Sequence, residues 1–123
     1  MIIDRKKKIK LGKGYYNIIV NTYNNNRIRL SYINNKERHD LTINLEDVYL
    51  DDGRVFLDPV VKKDGILKEL KKKRIIKDIC GVINYNYIDI PIATLNMGIL
   101  RKYDNAGVNN HLQKIFKVGD SFE

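Results

Sequence analysis

Residues Arg27 to Leu45, RIRLSYINNKERHDLTINL, constrain this chain more than any other stretch. Apolar residues alternate at Ile28, Leu30 and Tyr32, and again at Leu41, Ile43 and Leu45. Period-two alternation gives a strand one dry face, because successive side chains point to opposite sides. Between the runs lie Asn34, Asn35, Lys36 and Glu37, and an Asn pair tolerates the left-handed conformations of tight turns. The pattern predicts a hairpin whose other face carries Arg27, Arg29, Ser31, Asp40, Thr42 and Asn44.

The flanking segments extend the hairpin into a meander. Tyr15 to Tyr23 is aromatic and β-branched with apolar residues on both faces, so it reads as a strand inside the sheet or between layers. Asn24 to Asn26 supply the turn that follows it. A short strand is expected around Val55, Phe56 and Leu57, after the turn Asp51-Asp52-Gly53 and before the stop at Asp58-Pro59. Val55 and Leu57 share one face of it, and Phe56 takes the other. Asp64 reads as the N-cap of a helix over 65–74, with Ile66, Leu67 and Leu70 on one side. Two further β segments span 75–87 and 88–95, the second an edge strand or irregular at Pro91, which lacks an N–H. After a break at Asn96-Met97-Gly98, residues 105–117 give a final helix, with Val108, Leu112, Ile115 and Phe116 facing one way.

With 123 residues, one α+β domain is expected: an antiparallel β-meander sheet with one packed helix and a C-terminal helix. Residues 1–13 are read as a basic N-terminal arm, and 105–123 as the terminal helix and tail. No apolar run reaches the roughly 20 residues of a membrane span, so no membrane partner is expected. The first residues are not expected to form a signal peptide, since no apolar run follows the basic residues. Cys80, the one cysteine, is expected as a small buried hydrophobe in a reducing, cytoplasmic setting. Enrichment in Ile, Asn, Lys and Tyr, whose codons are A/T-rich, suggests a low-GC bacterium, its phage, or a virus.

Charge is the strongest functional signal. The net charge of +8 draws polyanions or anionic small molecules to the surface. Basic runs at 5–10 and 71–74 fit solvated surface or phosphate contacts, and the helix dipole accounts for the second without any ligand. Catalytic chemistry is less visible. His39 and His111, the two histidines, are expected at the surface or a rim, and one Cys with two scattered His does not make a zinc site. Neither a phosphate-binding glycine loop nor a dinucleotide fingerprint is present. The expectation is a binding protein without cofactor or metal, and not an enzyme.

Six residues are the candidate ligand contacts. Arg27, Arg29 and Arg101 supply guanidinium forks suited to phosphate, and Asn84 an amide for a base or ribose. Tyr85 or Tyr103 supplies a ring for stacking. Because Arg27 and Arg29 sit on the wet face of the hairpin, replacing both with alanine is expected to leave stability nearly unchanged.

From Asn24 to about Leu95, more than half of the chain, the order NNNRIRLSY, LTINL, RVFLD, GILKEL and IPIATL resembles a family of small phage and mobile-element proteins. The chain departs from it where a Gly- and aromatic-rich tail gives way to YNYIDIPIATLN and a basic extension. It is also similar to the Thoeris anti-defence sponge proteins, β-rich oligomers with a helix that bind a cyclic ADP-ribose signal and withhold it from its effector. That resemblance implies a homo-oligomer in the host cytoplasm that sequesters an anionic cyclic nucleotide, with Asn84 and Arg101 as first contacts. The alternative is a basic inhibitor or regulator that binds nucleic acid or a nucleoprotein, its two basic runs lying on one face.

Overall fold

The computed structural model describes residues 7–120, and side chains as far as Phe116. A first antiparallel sheet runs in the order β1-β2-β3-β4, from β1 (Lys8–Leu11), β2 (Gly14–Thr22), β3 (Ile28–Ile33) and β4 (Arg38–Asp40). A second runs in the order β5-β6-β8-β7, from β5 (Thr42–Ile43), β6 (Arg54–Leu57), β7 (Ile76–Tyr85) and β8 (Ile88–Leu95). A 3-10 segment, Pro59–Gly65, and helix α1 (Ile66–Lys72) connect β6 to β7, and helix α2 (Met97–Asp120) follows β8. The class is the expected α+β arrangement with a packed helix and a C-terminal helix, but the meander is divided between two sheets.

The division falls inside the hairpin. Ile33 pairs with Arg38 and Tyr32 with His39, around a turn closed by Asn34 N–H donating to Glu37 O at 3.0 Å. Asn34 Oδ1 accepts from the Lys36 and Glu37 amides at 2.9 Å each, so this Asn acts through its side chain rather than by a left-handed backbone. After Asp40 the chain leaves the first sheet. Leu41 N–H still donates to Leu30 O at 2.8 Å, while Leu41 O accepts from Asp58 N at 2.9 Å, at the end of β6. Thr42 Oγ1 accepts from Leu30 N at 3.2 Å, and Thr42 and Ile43 then pair with Leu57 and Phe56. Leu41 therefore knits the two sheets, and its side chain is fully buried.

Both sheets and both helices feed one buried cluster that takes Ile9, Ile18 and Leu30 from the first sheet and Val55, Leu57 and Leu95 from the second. Phe56 points the other way, into a smaller cluster with Leu45 and Ile90, as the alternation at 55–57 predicts. Burying a side chain of this size contributes about 1.5–3 kcal/mol.

Several local expectations are corrected. The basic arm is a strand from Lys8 to Leu11, because Ile9 and Leu11 bury against the core while the lysines between them stay exposed; Arg5, Lys6 and residues 121–123 lie outside the described residues. Asp64 caps nothing: it takes φ +57°, Gly65 occupies the N-cap position in the left-handed region, and Asp58 caps the 3-10 segment by accepting from Val60 N at 3.0 Å. β8 is internal rather than an edge, and Pro91 is tolerated because β6 pairs with it only over Ile92–Thr94. β7 is an edge strand of that sheet, as β5 is at the other end, and Cys80 on β7 is exposed. The break at Asn96 is the start of α2, since Asn96 Oδ1 accepts from Ile99 N at 3.1 Å.

Helix α2 is broken at Asp104 (φ −153°, ψ 77°), and the break joins helix to sheet. The Asp104 carboxylate is 3% exposed and accepts from Val20 N at 2.9 Å and from Gly107 N at 3.1 Å. Among the described residues β1 reaches along β2 only to Asn17, so this bond supplies Val20 with the partner that a strand would provide farther down. A Cβ on Gly107 would stand 2.5 Å from Val20 O, which leaves glycine as the residue that permits this approach. One turn on, His111 Nδ1 and Thr22 Oγ1 are 2.8 Å apart, in a pocket that leaves His111 3% exposed. His111 is thus a packing residue and not a surface one.

Two outcomes follow for stability. Asp104→Ala strands the Val20 N–H and uncaps the second half of α2, and is expected to cost about 2–4 kcal/mol in urea denaturation. Burial, followed by nearby Lys114, lowers the His111 pKa, so the unfolded chain binds this proton more readily than the folded one. Stability is therefore expected to fall as pH drops below about 6.5 and to level off beneath the folded-state pKa. In His111→Gln that part of the pH dependence, followed by thermal unfolding, disappears.

Candidate functional site

The six residues singled out in the sequence do not converge on one pocket. Arg27 is half-buried, and its guanidinium donates to Leu45 O at 2.7 Å and to Val48 O at 2.6 Å. It lies over the Phe56 ring at 5.7 Å and clamps the loop after β5 onto β3. Arg29 pairs with Asp40 across the hairpin at 3.3 and 3.1 Å and lies over Tyr23 at 5.8 Å. The face that carries them is not a wet one, since Ser31 and Thr42 on it are buried and Ser31 Oγ donates to Asp40 at 2.7 Å. Arg27 thus gives both guanidinium nitrogens Nη1 and Nη2 to the scaffold, and Arg29 gives Nε and Nη2 to a carboxylate that offsets its charge.

Tyr103 is 2% exposed and forms part of the core, so it cannot stack on a base; burial raises its pKa. Tyr85 packs on the smaller cluster and donates to Asp47 at 3.2 Å, and that carboxylate raises its pKa. Asn84 is exposed on β7 and donates through Nδ2 to Asp89 at 3.0 Å. Arg101 is exposed on the first half of α2, where Nη1 donates to Asn105 Oδ1 at 3.2 Å and to Asn109 Oδ1 at 2.5 Å. Its partners are neutral: among the described residues no carboxylate lies within 4.0 Å of this guanidinium. Arg29 and Arg54, by contrast, are each paired with an aspartate.

Beyond Asn84 the chain turns at Asn86 (φ +52°) and Tyr87 (φ +67°), a two-residue hairpin turn with both central residues left-handed. Asn is common in that conformation and tyrosine is not. Tyr87 is 99% exposed, and Ile88 (53%) and Val82 (58%) are also exposed on this hairpin. The alternation of amide and phenol groups at Asn84-Tyr85-Asn86-Tyr87, suited to stacking on a base, thus ends at a fully exposed ring on the tip of the hairpin that carries Asn84.

Clefts lie elsewhere among the described residues, and two of them are lined in part by a histidine. One of about 480 Å³ runs between the β2–β3 turn, the turn at 51–54 and the second half of α2, lined by Arg27, Arg54, His111 and Phe116 among others. The other, of about 700 Å³, lies between the β1–β2 turn, β4 and the 3-10 segment. Among the described residues no group of three or more His, Cys, Asp or Glu is placed to hold a metal ion, and no helix is long and apolar enough to cross a membrane. Comparison with protein-family models, curated protein sequences and solved structures finds no match.

The arginine geometry replaces the expectation that both alanine substitutions are silent. Arg27→Ala removes two charge-assisted bonds to carbonyls and is expected to lower stability by about 1.5–3 kcal/mol. Arg29→Ala, at a pair whose side chains are both 38% exposed, is expected to cost less than about 1 kcal/mol. Urea midpoints of the two single variants separate the outcomes.

Proposed function

We propose that the protein is a non-catalytic, phage-encoded counter-defence factor that captures an anionic cyclic nucleotide, such as a cyclic ADP-ribose isomer, and withholds it in the host cytoplasm. The observation that carries this reading is Arg101. A guanidinium fixed by two neutral amide oxygens keeps its full positive charge, and its remaining nitrogens stay open to a phosphate. Holding the side chain in place beforehand also reduces the entropy lost when a ligand docks.

Asn84, on β7, is the other first contact in this reading. Its Nδ2 is engaged by Asp89, and its side-chain oxygen is left to accept from a base amino group or a ribose hydroxyl. Tyr87 takes the stacking role for which buried Tyr103 is unsuited. Arg27 and Arg29 leave the ligand set and serve the scaffold. The reading includes the homo-oligomer expected from the sequence, and it needs tight binding without turnover.

Isothermal titration against cyclic ADP-ribose isomers and cyclic oligonucleotides tests it. The expected result is saturable binding to at least one of them, with the nucleotide recovered intact after heat denaturation. Arg101→Ala is expected to weaken that binding by about tenfold or more, as loss of a charged phosphate contact does. No heat with any of these nucleotides sinks the reading, and a chemically altered nucleotide after incubation replaces it with an enzymatic one.

A further inference from the structure

Two basic runs far apart in sequence become neighbours in the fold. Four lysines lie between residues 7 and 13 on β1 and its turn, and seven lysines and arginines lie between 62 and 74 on the 3-10 segment and α1. Ile9 and Leu11 from β1 share the core with Ile66 and Leu70 from α1. The β1–β2 turn meets the 3-10 segment closely enough that a Cβ on Gly12 would stand 3.7 Å from Asp64 Cβ. All eleven cations are exposed, and among the described residues none has a carboxylate oxygen within 4.0 Å. The helix dipole accounts for Lys71 to Arg74 at the end of α1. It does not account for Lys8, Lys10, Lys13, Lys62 or Lys63, whose mutual repulsion works against the compact state.

The 700 Å³ cleft opens within this basic face, lined by Lys13, Tyr16, Tyr32, Glu37, His39 and Lys63. The His39 ring stacks on Tyr32 at 5.0 Å and 26°, and Tyr16 meets Tyr32 edge-on at 4.8 Å. Tyr16 and Tyr32 are buried while the His39 side chain is 45% exposed, so the stack ends on an imidazole turned to solvent. Glu37 is held by the Tyr16 hydroxyl and by His39 Nε2 at 3.4 Å. The carboxylate pushes the Tyr16 pKa up to about 12. Gly12 and Asp64, both in the left-handed region, help line the cleft.

We propose that this face binds single-stranded nucleic acid, with the lysines of β1 and α1 along the phosphates and one unpaired base in the cleft against His39. The charges favour that orientation. Glu37 and Asp64 repel a phosphate inside the cleft, yet they accept from the amino edge of a base. Cations outside and an aromatic platform inside are the two elements by which single strands are held without sequence preference. A duplex keeps its bases paired and stacked, so it engages the lysines alone.

This inference stands apart from nucleotide capture, and its variants leave Arg101 and Asn84 untouched. Fluorescence anisotropy of the full chain with a labelled, mixed-sequence oligonucleotide of roughly 20 residues tests it, beside the matching duplex. Between about 50 and about 200 mM salt, single-strand affinity is expected to fall by about two orders of magnitude. Replacing Lys71, Lys72 and Lys73 together with glutamine is expected to cost about tenfold or more and to flatten the salt slope. His39→Ala costs about fivefold or more at unchanged slope, and His39→Phe restores the affinity because a ring suffices for stacking. Circular dichroism confirms that each variant is folded. Absence of binding at about 50 mM salt, a flat salt response, or duplex binding as tight as single-strand binding with His39→Ala silent overturns the proposal.

Discussion

Leu41 is the point on which the architecture turns. Its N–H closes the last rung of the first sheet on Leu30, its carbonyl takes the amide of Asp58 from the second, and its side chain is fully buried between them. Backbone groups buried in a core need partners, and at a place where a chain changes sheets they are the groups most at risk of losing them. Here Leu30 has both its groups engaged at the crossing, its carbonyl by Leu41 N–H and its N–H by Thr42 Oγ1. The Asp104 carboxylate repeats the same logic at the edge of β2, where a helix rather than a strand takes the Val20 amide. Both devices let short, irregular strands share one core with two helices.

Polar residues divide accordingly between scaffold and surface. Arg27 spends its donors on two carbonyls of the loop after β5, and Arg29 on Asp40, so two of the arginines most attractive for phosphate are structural. Arg101 differs because its neighbours are asparagines, which orient a guanidinium without neutralising it. The same distinction holds for the lysines of β1 and α1, whose charge meets no carboxylate within ion-pair distance among the described residues. A surface of this kind draws anions, while the β7–β8 hairpin carries Asp78 and Asp89 against the single cation Lys77.

Much of the fold was legible because it follows from local pattern. The alternation at Ile28, Leu30 and Tyr32 and the placing of Val55 and Leu57 opposite Phe56 are consequences of the two-residue repeat of a strand. The apolar face of Ile66 and Leu70 is likewise fixed by the helical repeat. The crossing at Leu41 was not legible, since alternation continues unbroken through it while the partner strand changes. Asp64 carried the right residue type for a helix cap and was bypassed, because Gly65 already occupied the cap position. Cys80 looked buried among apolar neighbours, and it is exposed because β7 has no strand on its outer side.

By itself the sequence determined the α+β class, the position of most strands and α1, and a strongly basic charge, all of which depend on residues close together in the chain. The tertiary structure decided which charges are available. Arg27 and Arg101 are the same residue type in similarly polar surroundings, and only the carbonyls of Leu45 and Val48, eighteen and more residues away, commit the first to the scaffold. The hairpin at Arg27 to Leu45 carried the fold's signal in its alternation. Its arginines lost their apparent functional role because desolvated donors take the nearest acceptors, and those acceptors arrive only when the chain closes on itself.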